Sequence, residues 1–481
     1  MSVLGNVEPK EVFQYFEEIC NIPHGSYHEK QISDYCVAFA KEHNLEVIQD
    51  KLYNIIIRKP ATPGYENVPA LIIQGHLDMV CEKESDCTID MEKEGLELQI
   101  NGDFVEAKGT TLGGDDGIAV AYALAVLAAD NLQHPTIEAI FTVSEEVGME
   151  GAAFIDLSSV TGKKLLNIDS EEEGIFLTSC AGGARVNCSV KIAHEEKVGQ
   201  LVKLTMTGLK GGHSGTEIDK GRANANTLLG RFLLELEGKV TYELVEMCGG
   251  SKDNAIPRES KATILVDAKE MDTFQQIRKE KLAAYQNEYS VADPSIQLNA
   301  EVLSEKKCMV LVEESKHNAL VLLNALPNGI QSMSLHVPGL VETSLNLGIM
   351  NTEDSKIIYS YAVRSSVTSA KDYLIQKMTA LTKRLGGEVV VSGNYPGWEY
   401  KEESKLREDM MRIYTQMYGK APKIEAIHAG VECGLISDKI EGMDCISFGP
   451  DMQNVHTADE KLSISSTKRV WEFLTKVIAC K

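Results

Sequence analysis

Residues 70–80 read ALIIQGHLDMV, and this stretch decides how the chain folds. ALIIQ is a short, β-branched, apolar run of the kind that forms a strand buried on both faces of an α/β sheet. Such sheets carry their chemistry at strand ends, and this strand runs directly into Gly75-His76-Leu77-Asp78. The two-residue period of a strand puts His76 and Asp78 on one face. A neutral imidazole can bind a divalent cation while a nearby carboxylate holds its tautomer. Alone the triplet carries little weight, because most such triplets in an acidic chain are only a hydrogen-bonded histidine near a strand end.

Working outward, Val12–Cys20 and Ile32–Lys41 have apolar residues at helical spacing, and Asn54–Arg58 is a second buried strand. Further strands are expected at Thr136–Val143 and Lys164–Ile168, with a polar insertion from Glu82 to Lys108 folded as a hairpin over the surface. The apolar run Ile118–Ala129 is too short to cross a bilayer and reads as a buried helix. After Cys180 the pattern changes. AGGARVNCSVKI and LVKLTMTGL read as exposed strands of a second domain, with helices over Ala223–Glu237 and around Phe274–Tyr289. Past the turn at Pro396-Gly397, a helix over Lys405–Tyr418, the strands KIEAIH and DCISFG and a helix over Thr467–Ala479 resemble the rest of the first domain. The expected fold is therefore α/β with two domains. A discontinuous domain, 1–184 and 397–481, has a mixed sheet flanked by helices, and an α+β domain, 185–396, is inserted into it.

The formal net charge of −23 over 481 residues argues against a nucleic-acid partner, since no Lys/Arg cluster is sustained anywhere. The opening MSVLGNVEPKEVF lacks the basic and apolar regions of a secretory signal, so a cytoplasmic protein with no membrane role is expected. The 11 cysteines contain no CxxC pair and read as small core hydrophobes in a reducing compartment. Any metal site must be built from His, Asp and Glu.

Four more segments supply such residues. In TTLGGDDGIAVAYALAVL a glycine-rich turn delivers Asp115 and Asp116 to a helix start, where Asp116 is explained equally well as a helix cap. Gly113, Gly114 and Gly117 would let backbone close around a carboxylate that bridges two cations. The strand IEAIFTV ends in Ser144-Glu145-Glu146, so one carboxylate can bind metal while its neighbour takes a proton from water. LLNIDSEEEG ends a strand at Asp169, with Glu171–Glu173 read as a solvated loop, and SFGPDMQNVHTADE places His456 in a loop after a strand. Five hard-oxygen or imidazole ligands at strand ends suit a pair of divalent ions better than one structural zinc.

Taken together, GHLDMV, GGDDGIA, SEEVGMEGA, NIDSEEEG, GGHSG and the late loop histidine resemble the dimetal metallopeptidase family that contains the aminoacyl-histidine dipeptidases and carnosinases. The forms GHLDMVCEK and TTLGGDDGIAVAYALA are most similar to its bacterial Xaa-His dipeptidase branch. The resemblance implies His76 and Asp169 on one metal, Glu146 and His456 on the other, and Asp115 bridging. It further implies that Asp78 orients His76, that Glu145 is the general base, and that His213 of GGHSG donates to the substrate carbonyl. Asn254 in KDNAIPRES would hold the peptide, and Arg364 in YAVRSS its terminal carboxylate. Glu432 and His428, in HAGVECG, receive no role. The implied protein is a homodimeric dipeptidase with two Zn²⁺, Co²⁺ or Mn²⁺ as alternatives, and the inserted domain as a lid. Its substrates would be unblocked dipeptides, including Xaa-His and β-alanyl-histidine. An amidohydrolase of the same architecture acting on N-acyl amino acids or tripeptides, or an inactive peptide-binding relative, are the alternatives.

Overall fold

The computed structural model describes residues 2–481, which form two compact units. The first comprises the chain up to Ser179 together with Tyr400–Ala426 and Val431–Lys481, and the second comprises Cys180–Glu399 and Ile427–Gly430. The sequence pattern predicts these two seams near 184/185 and 396/397.

The first unit is built on an eight-stranded mixed sheet. Its strand order is Glu46–Gln49, Ile55–Lys59, Ile137–Thr142, Leu71–His76, Lys164–Asn167, Asp444–Ser447, Ile175–Cys180 and Lys423–Ile427. The four central strands from Ile137–Thr142 to Asp444–Ser447 are parallel to one another, so their carboxyl ends lie along one edge. The expected strand at Ala70 extends through His76, and all six of its residues from Leu71 are buried. The helix Gly114–Ala128 packs so closely on this strand that a Cβ on Gly75 would lie 2.5 Å from both Ala119 Cβ and Asp116 Oδ2. Only glycine permits that approach.

Two expectations for this unit change. Within 82–108 the hairpin is confined to Leu98–Asn101 and Phe104–Ala107, and it is extended by Lys461–Ser463 and Met452–Gln453 into a four-stranded sheet. A pairing across more than 350 residues leaves no local pattern to read. The cysteines are not uniformly core: Cys81 and Cys248 are exposed, and Cys87, Cys308 and Cys480 are only partly buried.

The second unit has a nine-stranded sheet whose paired neighbours are all antiparallel, and it contains the helices Ala225–Leu236, Met271–Glu288, Glu313–Ala325 and Thr368–Arg384. Its strands are not wholly exposed as expected. Val186, Cys188 and Val190 alternate inward on one strand, and Val202, Leu204 and Met206 on the next. Asn224 caps the Ala225–Leu236 helix by accepting from the N–H groups of Asn226 and Thr227. Among the described residues no helix is long and apolar enough to cross a membrane.

The final helix, Ile464–Ile478, closes the core of the first unit through Phe473, whose ring centroid lies 5.4–5.7 Å from those of Tyr414, Phe176 and Phe448. Truncating this ring removes its transfer energy and leaves a cavity. Phe473→Ala is expected to destabilise the first unit by about 3–5 kcal/mol, read as a lower denaturation midpoint.

Candidate active site

The carboxyl edge of the central sheet collects the acidic residues. His76 ends one strand, Glu145 and Glu146 follow the next after Ser144, and Asp169 follows the third. Asp115 comes from the turn at the start of the Gly114–Ala128 helix, and His456 from the loop between Met452–Gln453 and Lys461–Ser463. Asp115 lies between the two histidines: its Oδ1 is 3.0 Å from His76 Nε2 and its Oδ2 is 3.1 Å from His456 Nε2. His76 Nε2 is also 3.7 Å from Asp169 Oδ1, and His456 Nε2 is 2.8 Å from Glu146 Oε1. All five expected ligands are thus brought together, as two imidazole–carboxylate pairs sharing Asp115.

The charge balance of this cluster matches divalent cations. Burial, with repulsion from Asp115 and Glu146, raises the Asp169 carboxyl to about 6 despite its His76 partner. Burial also pushes Glu145 well above the usual carboxylate range, and Asp169, Glu432 and Glu146 add to this against the pull of His76. Two imidazoles do not neutralise so many carboxylates. Nitrogen and oxygen donors in this arrangement fit Zn²⁺, Mn²⁺ or Co²⁺. Ligand atoms of Asp115, Glu146 and His456 lie within 4.8 Å of one another, as do those of His76, Glu145 and Glu146 and those of His76, Asp116 and Asp169.

Asp116 is not the helix cap that its position suggested. Gly113 precedes the helix, and Asp116 Oδ2 instead accepts from the His76 N–H at 3.2 Å. Burial and the nearby Asp169 hold its carboxyl well above the normal range. Asp78 meets His76 mainly through its backbone: His76 Nδ1 is 2.9 Å from the Asp78 carbonyl oxygen and 3.5 Å from Oδ1. Its carboxylate accepts from the N–H groups of Glu145 and Glu146, at 2.9 and 3.3 Å, and from Ser26 Oγ at 2.8 Å. It thereby ties the His76 strand end to the Glu145–Glu146 turn.

Several supporting residues escaped the sequence reading. Glu29 accepts from both N and Oγ of Ser144, whose φ of +53° is left-handed, and so shapes the turn that aims Glu145. Glu432, given no role, is fully buried and accepts from Gln74 Nε2 and Thr142 Oγ1. Gln74 also accepts from Asn167, so a polar network underlies the strand ends. In the run read as a solvated loop, Glu173 is paired bidentately with Arg469. None of these contacts has a local signature, except that Gln74 and Asn167 precede His76 and Asp169 by one strand period.

The other three expected residues belong to the second unit. The two-residue bridge Gly212–His213 with Ala255–Ile256 sets His213 beside Asn254, and both line a cavity of about 1010 Å³. His213 Nδ1 accepts from the N–H groups of Gly215 and Thr216, which leaves the ring proton on Nε2. Burial and the nearby Arg364 lower its pKa, so the ring is a neutral donor. The Arg364 Nε is buried without a hydrogen-bond partner. Gly215 packs among these groups, since a Cβ there would lie 3.0 Å from His213 Cε1 and 3.2 Å from Arg364 Nε. His428 joins them, with Nε2 2.7 Å from Ser344 Oγ.

Residues 72–479 match peptidase family M20/M25/M40, and the chain belongs to that family. It is 38% identical over 480 residues to the cytosol non-specific dipeptidase of Escherichia coli K12, covering 99% of both chains. Among solved structures, the aminoacylhistidine dipeptidase of Vibrio alginolyticus superposes with a TM-score of 0.94 at 37% identity, over 99% of this chain and 98% of that one. The aminopeptidase PepT of Bacillus cereus shares the fold, with a TM-score of 0.56 at 16% identity and 98% of each chain covered. The family resemblance read from the motifs is thereby borne out.

His428 supplies a pH test of this geometry. Burial, with Arg364 and His213 nearby, lowers its pKa from 6.5 to about 4. The unfolded imidazole then takes up a proton before the folded one does, so the second unit should lose stability as pH falls from about 6.5 to 4. His428→Gln should flatten this dependence in thermal unfolding followed over that interval, and unchanged slopes would assign it to other groups.

Proposed function

We propose that this chain is a metal-dependent dipeptidase that hydrolyses unblocked dipeptides, Xaa-His and β-alanyl-histidine among them. The observation that carries this reading is Asp115, with one carboxylate oxygen toward His76 and the other toward His456. His76 and Asp169 would hold one ion, Glu146 and His456 the other, and Asp115 both. Zn²⁺ is the assigned metal, with Co²⁺ or Mn²⁺ as substitutes. When bound, the two ions would polarise the scissile carbonyl and acidify the attacking water.

Glu145 takes the proton of that water on its carboxylate and returns it to the leaving amine, a role suited to a buried group with a raised pKa. Asp78 holds both the His76 ring and the Glu145 N–H in place. His213 offers its Nε2–H to the developing oxyanion, which is supported by the two backbone donors on its Nδ1. Asn254 would bind the peptide. Arg364, with its unpartnered Nε, would take the terminal carboxylate and so demand a free C-terminus. The second unit would then act as a lid. The homodimer is proposed from the family resemblance alone and light scattering tests it; similarity to the cytosol non-specific dipeptidase supports a cytoplasmic location.

Turnover of carnosine, Leu-Gly and an N-acetyl amino acid, compared side by side, tests the substrate class. Cleavage of the acetylated compound alone would replace the dipeptidase by an N-acyl amidohydrolase. Glu145→Gln should lower kcat about 100- to 10,000-fold with little change in KM. Chelation should abolish activity and Zn²⁺ restore it, with elemental analysis giving two ions per chain. Arg364→Lys should raise KM for dipeptides but not for their C-terminal amides, because lysine keeps the charge and loses the bidentate fork.

A further inference from the structure

The glycine-rich turn before the Gly114–Ala128 helix closes around a carboxylate, but that carboxylate belongs to Glu460. Its Oε2 accepts from the N–H groups of Leu112 and Gly113 at 3.0 and 3.2 Å. Its Oε1 accepts from those of Gly114 and Asp115 at 2.8 and 3.4 Å. Successive N–H groups around a left-handed residue form an anion-binding concavity, and Gly113 has φ +69°. A Cβ on Gly114 would lie 3.2 Å from Glu460 Oε1, so glycine leaves the concavity open. Glu460 is only 3% exposed.

The same residue ends the loop that carries His456. The Glu460 N–H donates to the Thr457 carbonyl, the Thr457 N–H donates to the Asn454 carbonyl, and both Asn454 and His456 have left-handed backbone. Just beyond, Leu462 is buried where Lys461–Ser463 pairs with Phe104–Ala107. The loop is therefore short, tightly folded and anchored at Glu460. From this loop His456 reaches the Asp115 side chain, while Glu460 bonds to the backbone of the turn that carries it.

We propose that Glu460 is a positioning residue that sets the separation of Asp115 and His456, and thereby completes the ion set formed by Asp115, Glu146 and His456. This rests on the two-ion reading given above. The Asp115 turn and the His456 loop come from chain segments 341 residues apart, and beyond the His456–Asp115 contact itself the Glu460 carboxylate fastens them through four backbone N–H donors. Weakening it should loosen the ion set that depends on both segments more than the set that retains His76 and Asp169.

The test is chelator competition on the full Zn²⁺-loaded chain, with the absorption spectrum of the Co²⁺-substituted protein as a second readout. For Glu460→Gln, which keeps the size but turns an amide toward two N–H donors, one ion should bind about 10- to 100-fold more weakly than in the wild type, with a smaller change for the other. Gly114→Ala, which keeps every hydrogen-bonding group and crowds the carboxylate, should show the same bias and decides the question if E460Q does not fold. Two isotherms matching the wild type, or an equal weakening of both ions alongside a lower Tm, would overturn the positioning role. A wild-type chain that retains fewer than two ions would overturn the two-ion reading itself, and this inference with it.

Discussion

Asp115 lies between two imidazoles, one on each of its carboxylate oxygens, and much of the first unit serves to keep it there. Asp115, Glu145, Glu146, Asp169 and the buried Asp116 converge on the carboxyl edge of the sheet with only His76 and His456 opposite them. Like charges gathered in a partly buried site repel and lose hydration, so such a cluster persists only if its surroundings hold it and cations compensate it. The raised carboxyl pKa values of Asp169, Asp116 and Glu145 record that imbalance.

The scaffold answers with further carboxylates, each bound by backbone N–H groups. Asp78 holds the N–H groups of Glu145 and Glu146, Glu29 holds that of Ser144, and Glu460 holds the four around Gly113 and Gly114. A carboxyl group that accepts from backbone N–H groups fixes main chain rather than a mobile side chain. The candidate ligands are thereby held on strand ends and tight turns, which is what preorganised catalysis requires.

Some of this was legible in the chain. ALIIQGHLD, IEAIFTVSEE and LLNID each show a buried strand delivering an acidic or imidazole group, and the structure brings His76, Glu145, Glu146 and Asp169 to one edge. The sequence leaves the role of Asp116 open, because a helix-start aspartate is usually a cap. Here the strand at Gly75 comes so close that the side chain reaches the His76 N–H instead. Glu29, Glu432 and Glu460 were not legible. In a chain with 71 acidic residues, nothing local separates a buried clamp from a solvated glutamate.

By itself, the sequence determined the α/β class, the strand-end placement of the candidate ligands and the family, because each follows from periodicity or from short motifs whose residues are neighbours in the chain. Only the tertiary structure decided which oxygen of Asp115 faces which histidine, that 427–430 groups with the second unit, and that the glycine turn encloses Glu460 rather than a bridging carboxylate. Those facts rest on contacts between residues 39 to 346 positions apart in the chain. Such contacts are chosen by the packing of the whole unit, and no window of sequence contains both partners.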